Sequence, residues 1–296
     1  MATLDRANIP TFAFMSAYWT LLKPRLSLLV VLSTLLSYMY AAELAEVRIH
    51  MLLWLGLFGF IITGAANIFN QVIEVELDAK MNRTKLRPLP SQTLQGWEAS
   101  LFGGILALVG IVGIGYYFNL SAALLSFVSF ALYVFIYTPL KARTPLSVLV
   151  GAFPGALPIL VGCVAASNAF KPDYFILFGI QFFWQFPHFW SIAWVLDEDY
   201  KKAGFRLLPF GRGKDSTAAY YIFIYTVAML LVSLFPAFLQ LVGLWYLGTA
   251  VVLGLGFLYV TILHMRALSD VSARKVMFYS FFYLPIVQLL LAIDKI

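Results

Sequence analysis

Apolar residues fall along this chain in long runs, each close to the roughly 17–25 residues a helix needs to cross a bilayer. About nine can be read, at 26–43, 51–73, 98–117, 120–138, 147–166, 173–195, 218–240, 243–263 and 276–293. Polar and charged residues collect between them. Lipid offers no partner to open backbone groups, so each run is expected to be helical. The pattern predicts an all-α polytopic bundle of about nine membrane helices, with residues 1–296 as a single domain and 1–22 as a cytoplasmic N-terminal segment.

The connecting segments sort by charge. One set of alternate segments holds Arg6, Lys23 and Arg25; Lys80, Arg83, Lys85 and Arg87; Lys141 and Arg143; Lys201, Lys202, Arg206, Arg212 and Lys214; Arg266, Arg274 and Lys275. The other set holds Arg48, Lys171 and Lys295, so 17 of the 20 basic residues share one side. Such a split marks the cytoplasmic face. It predicts an N-terminus inside, a C-terminus outside and chemistry on the cytoplasmic side. The segments opposite, such as Asn119-Leu120-Ser121, are short and nearly uncharged.

Composition agrees. The chain is 62% hydrophobic and 11% charged, against about 25% charged in soluble domains. Its formal charge of +6 is accounted for by topology, so nucleic-acid binding is not expected. The single cysteine, Cys163, allows no intrachain disulfide. The first twenty residues lack the patterns of a transit or cleaved signal peptide, which favours a bacterial cytoplasmic (inner) membrane.

Chemistry concentrates where the second run ends. Asn70, Glu74 and Asp78 stand at i, i+4 and i+8, one face of a helix continuing out of the membrane. Oxygen-bearing side chains in that arrangement suit a hard cation such as Mg²⁺. Arg83, Lys85 and Arg87 follow, with the charge to hold phosphate oxygens. The sixth run ends in Asp197-Glu198-Asp199, then Lys201 and Lys202, on the same side. One acidic cluster alone reads equally well as an ordinary solvated loop. Two at the same depth point to Mg²⁺ ions around one diphosphate, with the metals neutralising a departing leaving group. They also hint at internal duplication of a helix-plus-acidic-cap unit. Lys141 and Arg143 are further diphosphate candidates, although membrane topology explains them equally well; Lys23-Pro24-Arg25 is open in the same way. His188 lies inside a predicted span, where polar groups are costly. Haem ligation, base catalysis and a hydrogen bond to Gln185 or a neighbouring helix are all open to it. His50 and His264 read as interfacial.

The pattern Asn70-x-x-x-Glu74-x-x-x-Asp78 resembles the first aspartate-rich motif of the UbiA superfamily of intramembrane prenyltransferases. Its extension Glu76-x-Asp78-x-x-Met81-x-Arg83-Thr84-x-x-Arg87-Pro88 resembles the haem-farnesylating branch. So do Leu22-Lys23-Pro24-Arg25, Tyr137-Thr138-Pro139-Leu140-Lys141, the stretch from Gly151 to Pro158, and Trp184-Gln185-Phe186-Pro187-His188-Phe189-Trp190 followed by Asp199-Tyr200-Lys201. The family usually has Asp at the positions of Glu74 and Glu76, two adjacent bases where this chain has Lys141-Ala142, and Asn at Ser147. The resemblance implies a central cavity open to the cytoplasmic side and transfer of a farnesyl group from farnesyl diphosphate to a vinyl group of haem B. The product would be haem O, for terminal oxidases directly or through haem A synthase. It implies Asn70, Glu74, Asp78, Asp197 and Asp199 as Mg²⁺ ligands, Arg83, Arg87, Lys141, Arg143 and Lys201 as diphosphate contacts, and His188 as the haem-positioning residue. A same-fold enzyme acting on a quinone precursor or a chlorophyll-like ring competes with this reading. A haem transporter or oxidase-assembly factor without catalysis competes less well; transporters place polar groups near the bilayer midplane, and the acids here lie at one face.

Overall fold

The computed structural model describes residues 11–42 and 47–296; Arg6 and the rest of the first ten residues lie outside it. Its helices are α1 (Thr11–Leu21), α2 (Pro24–Ala41), α3 (Ile49–Ile73), α4 (Val75–Asp78), α5 (Gly96–Tyr117), α6 (Leu120–Ala131), α7 (Thr138–Lys141), α8 (Ser147–Ser167), α9 (Pro172–Val195), α10 (Asp197–Lys202), α11 (Ser216–Phe238), α12 (Leu244–Ala267) and α13 (Asp270–Ile293). Residues 132–137 join α6 to α7 as a π-helical turn, so 120–141 is one continuous rod. Among the described residues no sheet forms, only the isolated bridge between Val242 and Lys295.

Eight stretches among the described residues are long and apolar enough to cross a membrane. The sixth predicted run, α9, has the length at 24 residues but is not among them, because Gln181, Gln185 and His188 interrupt its apolar character. The bundle explains how it tolerates them. Helices α8, α11 and α13 surround α9, and its polar groups bond to these neighbours. Gln185 Nε2 donates to Ala152 O at 2.8 Å, Gln181 Nε2 to Gly155 O at 3.2 Å, and Gln288 Nε2 to Gln181 Oε1 at 2.7 Å. A satisfied amide inside a bundle avoids the cost it would carry against lipid.

Helices approach closely where residues are small, as expected when lipid is as apolar as leucine and packing must drive association. Helix α8 meets α2 at Gly162, where a Cβ would overlap Thr34 O and Ser37 Oγ. Pro158 in α8 has no N–H for the carbonyl of Pro154, and Ser129 Oγ donates to that carbonyl at 3.0 Å instead. Cys163 is buried, its Sγ 3.5 Å from Ser37 O. The outer surface is apolar: Leu28, Leu53, Leu57, Leu108, Val112 and Val252 are all exposed, as suits residues facing lipid.

The N-terminal segment 1–22 contains helix α1. Ala17, Leu21 and Leu22 pack with Ile68, Leu89, Leu94 and Ala99, so α1 closes over the end of α3. His264, predicted to be interfacial, is fully buried between Trp194 and Ser272.

Candidate active site

The two acidic caps are built alike. Helix α3 breaks at Glu74 (φ −95°, ψ 12°) and restarts as one-turn α4. Helix α9 breaks at Leu196 (φ −101°, ψ 10°) and restarts as α10. The acidic row is therefore not on one uninterrupted helix, as its spacing predicted. The spacing nevertheless survives the break, because Glu74 N bonds to Asn70 O at 3.0 Å and Asp78 N to Glu74 O at 2.7 Å. All three side chains remain buried, at 3%, 3% and 1% exposure.

Each member of the row has a cation. Lys23 Nζ donates to Asn70 Oδ1 at 3.0 Å. Lys141 Nζ donates to Glu74 Oε2 at 2.8 Å, and Arg87 Nη1 to Asp78 Oδ2 at 2.8 Å. Lys141 Nζ also stands 2.8 Å from Glu74 Oε1, but at an angle that leaves this buried oxygen without a hydrogen bond. Burial brings the Lys23 ammonium down to about 7, and the nearby Arg87 and Lys141 charges push it the same way against Glu74 and Asp78. Thr138, where the π-helical turn ends, accepts from Asn70 Nδ2 at 3.4 Å. Tyr133 and Tyr137 sit one turn apart there, ring centroids 5.2 Å from each other; π-turns of this kind recur at functional sites.

The loop after α4 accounts for its own motif. Met81 is buried in the core, Thr84 Oγ1 donates to Asp78 O at 2.8 Å, and Arg87 reaches back to Asp78. Arg83 and Arg143 are exposed, with the Arg83 guanidinium 6.0 Å from the Tyr200 ring. Glu76 is exposed as well.

The second cap is tied to the first. Asp199 accepts from Asn82 N at 2.8 Å and from Arg83 N at 3.2 Å, one carboxylate oxygen to each. Lys202 Nζ adds a contact at 3.3 Å. Desolvation raises the Asp199 carboxyl, but these backbone bonds and Lys202 outweigh it and hold the group below its usual range. The clamp is thus present above the ordinary carboxylate pKa of about 4 and is lost as pH falls through the lowered value. Asp199→Asn is expected to speed amide hydrogen exchange in residues 79–87 by about tenfold at neutral pH, the scale of one charge-assisted hydrogen bond. Unchanged exchange there would contradict the clamp.

Asp197 Oδ2 pairs with Lys201 Nζ at 2.7 Å, an ionic contact outside hydrogen-bond geometry for this buried oxygen. Beside it a cavity of about 340 Å³ is lined by Asp197, Lys201, Phe205, Leu208 and the loop arginines Arg206 and Arg212. Phe205 joins this cavity to the first cap, since Lys141 Nζ lies 4.8 Å from its ring centroid. The loop curls back through Gly211 and Gly213, whose φ of 66° and 89° favour glycine. Neither arginine was singled out from sequence, where both counted only as topology markers; a glycine-rich loop after an acidic cap was the available signal.

His188 lies apart from these acids. Its Nδ1 is 2.7 Å from Ser280 Oγ on α13, and its ring stacks on Trp184 at 4.4 Å and meets Phe281 edge-on at 4.8 Å. Of the alternatives open to it, the structure provides the hydrogen bond to a neighbouring helix.

Among the described residues, no three His, Cys, Asp or Glu side chains gather closely enough to hold a metal alone. Mg²⁺ needs less, since it is commonly held by one or two carboxylates together with substrate phosphates. The buried carboxylates of Glu74 and Asp197, each paired to a lysine but with one oxygen outside any hydrogen bond, fit that donor set.

The structure is a polytopic helical bundle with two cation-laced acidic caps tied together at one end. Comparison with known proteins places it more closely: the UbiA prenyltransferase family matches residues 30–284, and the chain belongs to that family. It is 42% identical to a protoheme IX farnesyltransferase of Christiangramia forsetii over 98% of this chain and 97% of that protein. It is 41% identical to one from Cytophaga hutchinsonii over 95% and 98%. Among solved structures, a digeranylgeranylglyceryl phosphate synthase shares the fold with a TM-score of 0.78 and 21% identity, over 95% of this chain and 98% of that one. A UbiA homologue from Archaeoglobus fulgidus bound to DMAPP and Mg²⁺ has a TM-score of 0.68 and 16% identity, over 90% and 98%.

Proposed function

We propose that this protein transfers a farnesyl group from farnesyl diphosphate to a vinyl group of haem B, with addition of water, to give haem O. The observation that carries the reading is near-full-length identity of about 40% to protoheme IX farnesyltransferases, joined to a site whose buried acids and cations suit a diphosphate. The whole chain acts as one unit in a bacterial cytoplasmic membrane, with its N-terminus and both caps on the cytoplasmic side.

Mg²⁺ fits the site through Glu74 and Asp197 and would supply charge neutralisation of the diphosphate. Asn70 and Asp78 complete the inner row, and Asp199 holds the two caps in register. Lys141, Arg87 and Lys201 begin paired to acids and are within reach of phosphate oxygens; Arg83 and Arg143 add charge at the exposed rim. With the diphosphate so held, the C1–O bond of the farnesyl group breaks heterolytically and the electron pair leaves with the diphosphate. The π faces of Tyr133 and Tyr137 lie beside the row, suited to the allylic cation. The haem vinyl carbon bonds to C1, water adds to the resulting cation and a proton is released. His188 serves haem binding only indirectly, by fixing α9 to α13.

The acceptor is tested by supplying purified protein with farnesyl diphosphate and either haem B or 4-hydroxybenzoate, a simple quinone precursor. Farnesylated haem alone is expected. Farnesylated hydroxybenzoate with haem untouched would move the protein to the quinone branch of the same fold.

A further inference from the structure

The half-buried cations of the first cap are matched one by one, Lys23 to Asn70, Lys141 to Glu74 and Arg87 to Asp78, while Arg83 and Arg143 stand at the exposed rim, outside the lining of the cavity beside Asp197. Lys201 and Lys202 are matched on the second, to Asp197 and Asp199. Arg206 and Arg212 differ. Both line the cavity beside Asp197, both are exposed, and among the described residues neither enters an ion pair (the pairs there being those of Arg87, Lys141, Lys201, Lys202 and Lys214). Asp197 lines the same cavity but is matched by Lys201, so the two guanidiniums there have no protein anion of their own and form an anion site. A guanidinium presents a planar fork that takes a carboxylate in two parallel hydrogen bonds.

We infer that Arg206 and Arg212 bind the two propionate carboxylates of the haem acceptor; this rests on the haem-farnesylation reading above. The reaction has two anionic substrates, and the first cap, with its buried acids and matched cations, is built for the diphosphate. Haem is a large apolar ring with both carboxylates on one edge and both vinyl groups on the opposite half. The carboxylates cannot enter hydrocarbon without heavy desolvation cost, so that edge must stay at the polar surface. Anchoring it at Arg206 and Arg212 turns the vinyl half inward. Phe205 lines the same cavity and lies 4.8 Å from Lys141 Nζ, so the inward direction leads toward the Lys141–Glu74 pair. A cavity of about 340 Å³ holds the propionate arms and leaves the ring to the apolar interior.

The test is steady-state kinetics of the full chain in lipid nanodiscs, with haem B and haem dimethyl ester as acceptors. Arg206→Gln and Arg212→Gln are each expected to raise the KM for haem B about tenfold, and together about a hundredfold, the scale of losing a charge-assisted bond at each. The KM for farnesyl diphosphate is expected to stay within about twofold, which also shows the variants are folded. The wild-type protein should treat the dimethyl ester as the double variant treats haem B. An unchanged haem KM in the double variant, or equal wild-type KM values for haem and its ester, would overturn the assignment. A raised KM for farnesyl diphosphate instead would give the arginines to the leaving group and overturn it equally. Wild-type protein that farnesylates another acceptor and no haem would remove the function reading, and this site with it.

Discussion

Asp78→Asn is expected to lower farnesyl transfer by at least about a hundredfold, the scale of losing one charged element of a preorganised site. The carboxylate is 1% exposed, and Arg87 Nη1 sits 2.8 Å from its Oδ2. Asparagine keeps the shape and can still accept a hydrogen bond, so the loop through Thr84 and Arg87 should stay in place. What is lost is one negative charge beside Asn70 and Glu74, in surroundings where water screens little. Arg87 then loses its ionic partner, and the balance of acids and cations that receives the diphosphate shifts. The measurement is kcat alongside a thermal melt of the purified protein. A folded variant with wild-type turnover would contradict a role for Asp78 in the reaction.

Lys141→Met is expected to have the largest effect on stability. Lys141 and Glu74 side chains are 13% and 4% exposed, which makes this a buried ion pair. Removing one partner of such a pair costs roughly 3–5 kcal/mol, because the other charge stays buried and uncompensated. Glu74 is especially sensitive, since both its oxygens lie 2.8 Å from Lys141 Nζ and Oε1 has no hydrogen bond besides. The double variant Lys141→Met with Glu74→Gln should recover most of the stability and none of the activity. That separation is the useful outcome, because it distinguishes a structural pair from one that the reaction also uses. Equal stability of the single and double variants would show that Lys141 does not compensate Glu74.

The helical plan was legible in the sequence because apolar runs of spanning length have few other solutions. Helix α9 was read as a span despite its glutamines and histidine, correctly in length, but only the packing of α8, α11 and α13 around it explains why the polar groups are tolerated. The acidic row was legible as spacing, whereas the break at Glu74 was not. The i, i+4 rule continues across it, and no glycine or proline marks the place. The same holds at Leu196. Asp199 illustrates a different limit: the motif gives its charge and place, but not the bonds its two oxygens accept from the backbone of Asn82 and Arg83, 117 and 116 residues away in sequence. His188 drew attention as a polar group in an apolar run, but its partner, Ser280, lies 92 residues further on. Arg206 and Arg212 were hidden as two among the 17 basic residues of one set of connecting segments; only the fold places both on one cavity.

The central claim is the identity of the product. The direct measurement is mass spectrometry of haem extracted from membranes expressing this chain, compared with membranes expressing Asp78→Asn at equal protein level. A haem heavier than haem B by one farnesyl group and one water, present with the wild-type chain and absent with the variant, is the predicted result. Unmodified haem B alone in the wild-type membranes, with folded protein and farnesyl diphosphate supplied, would contradict it.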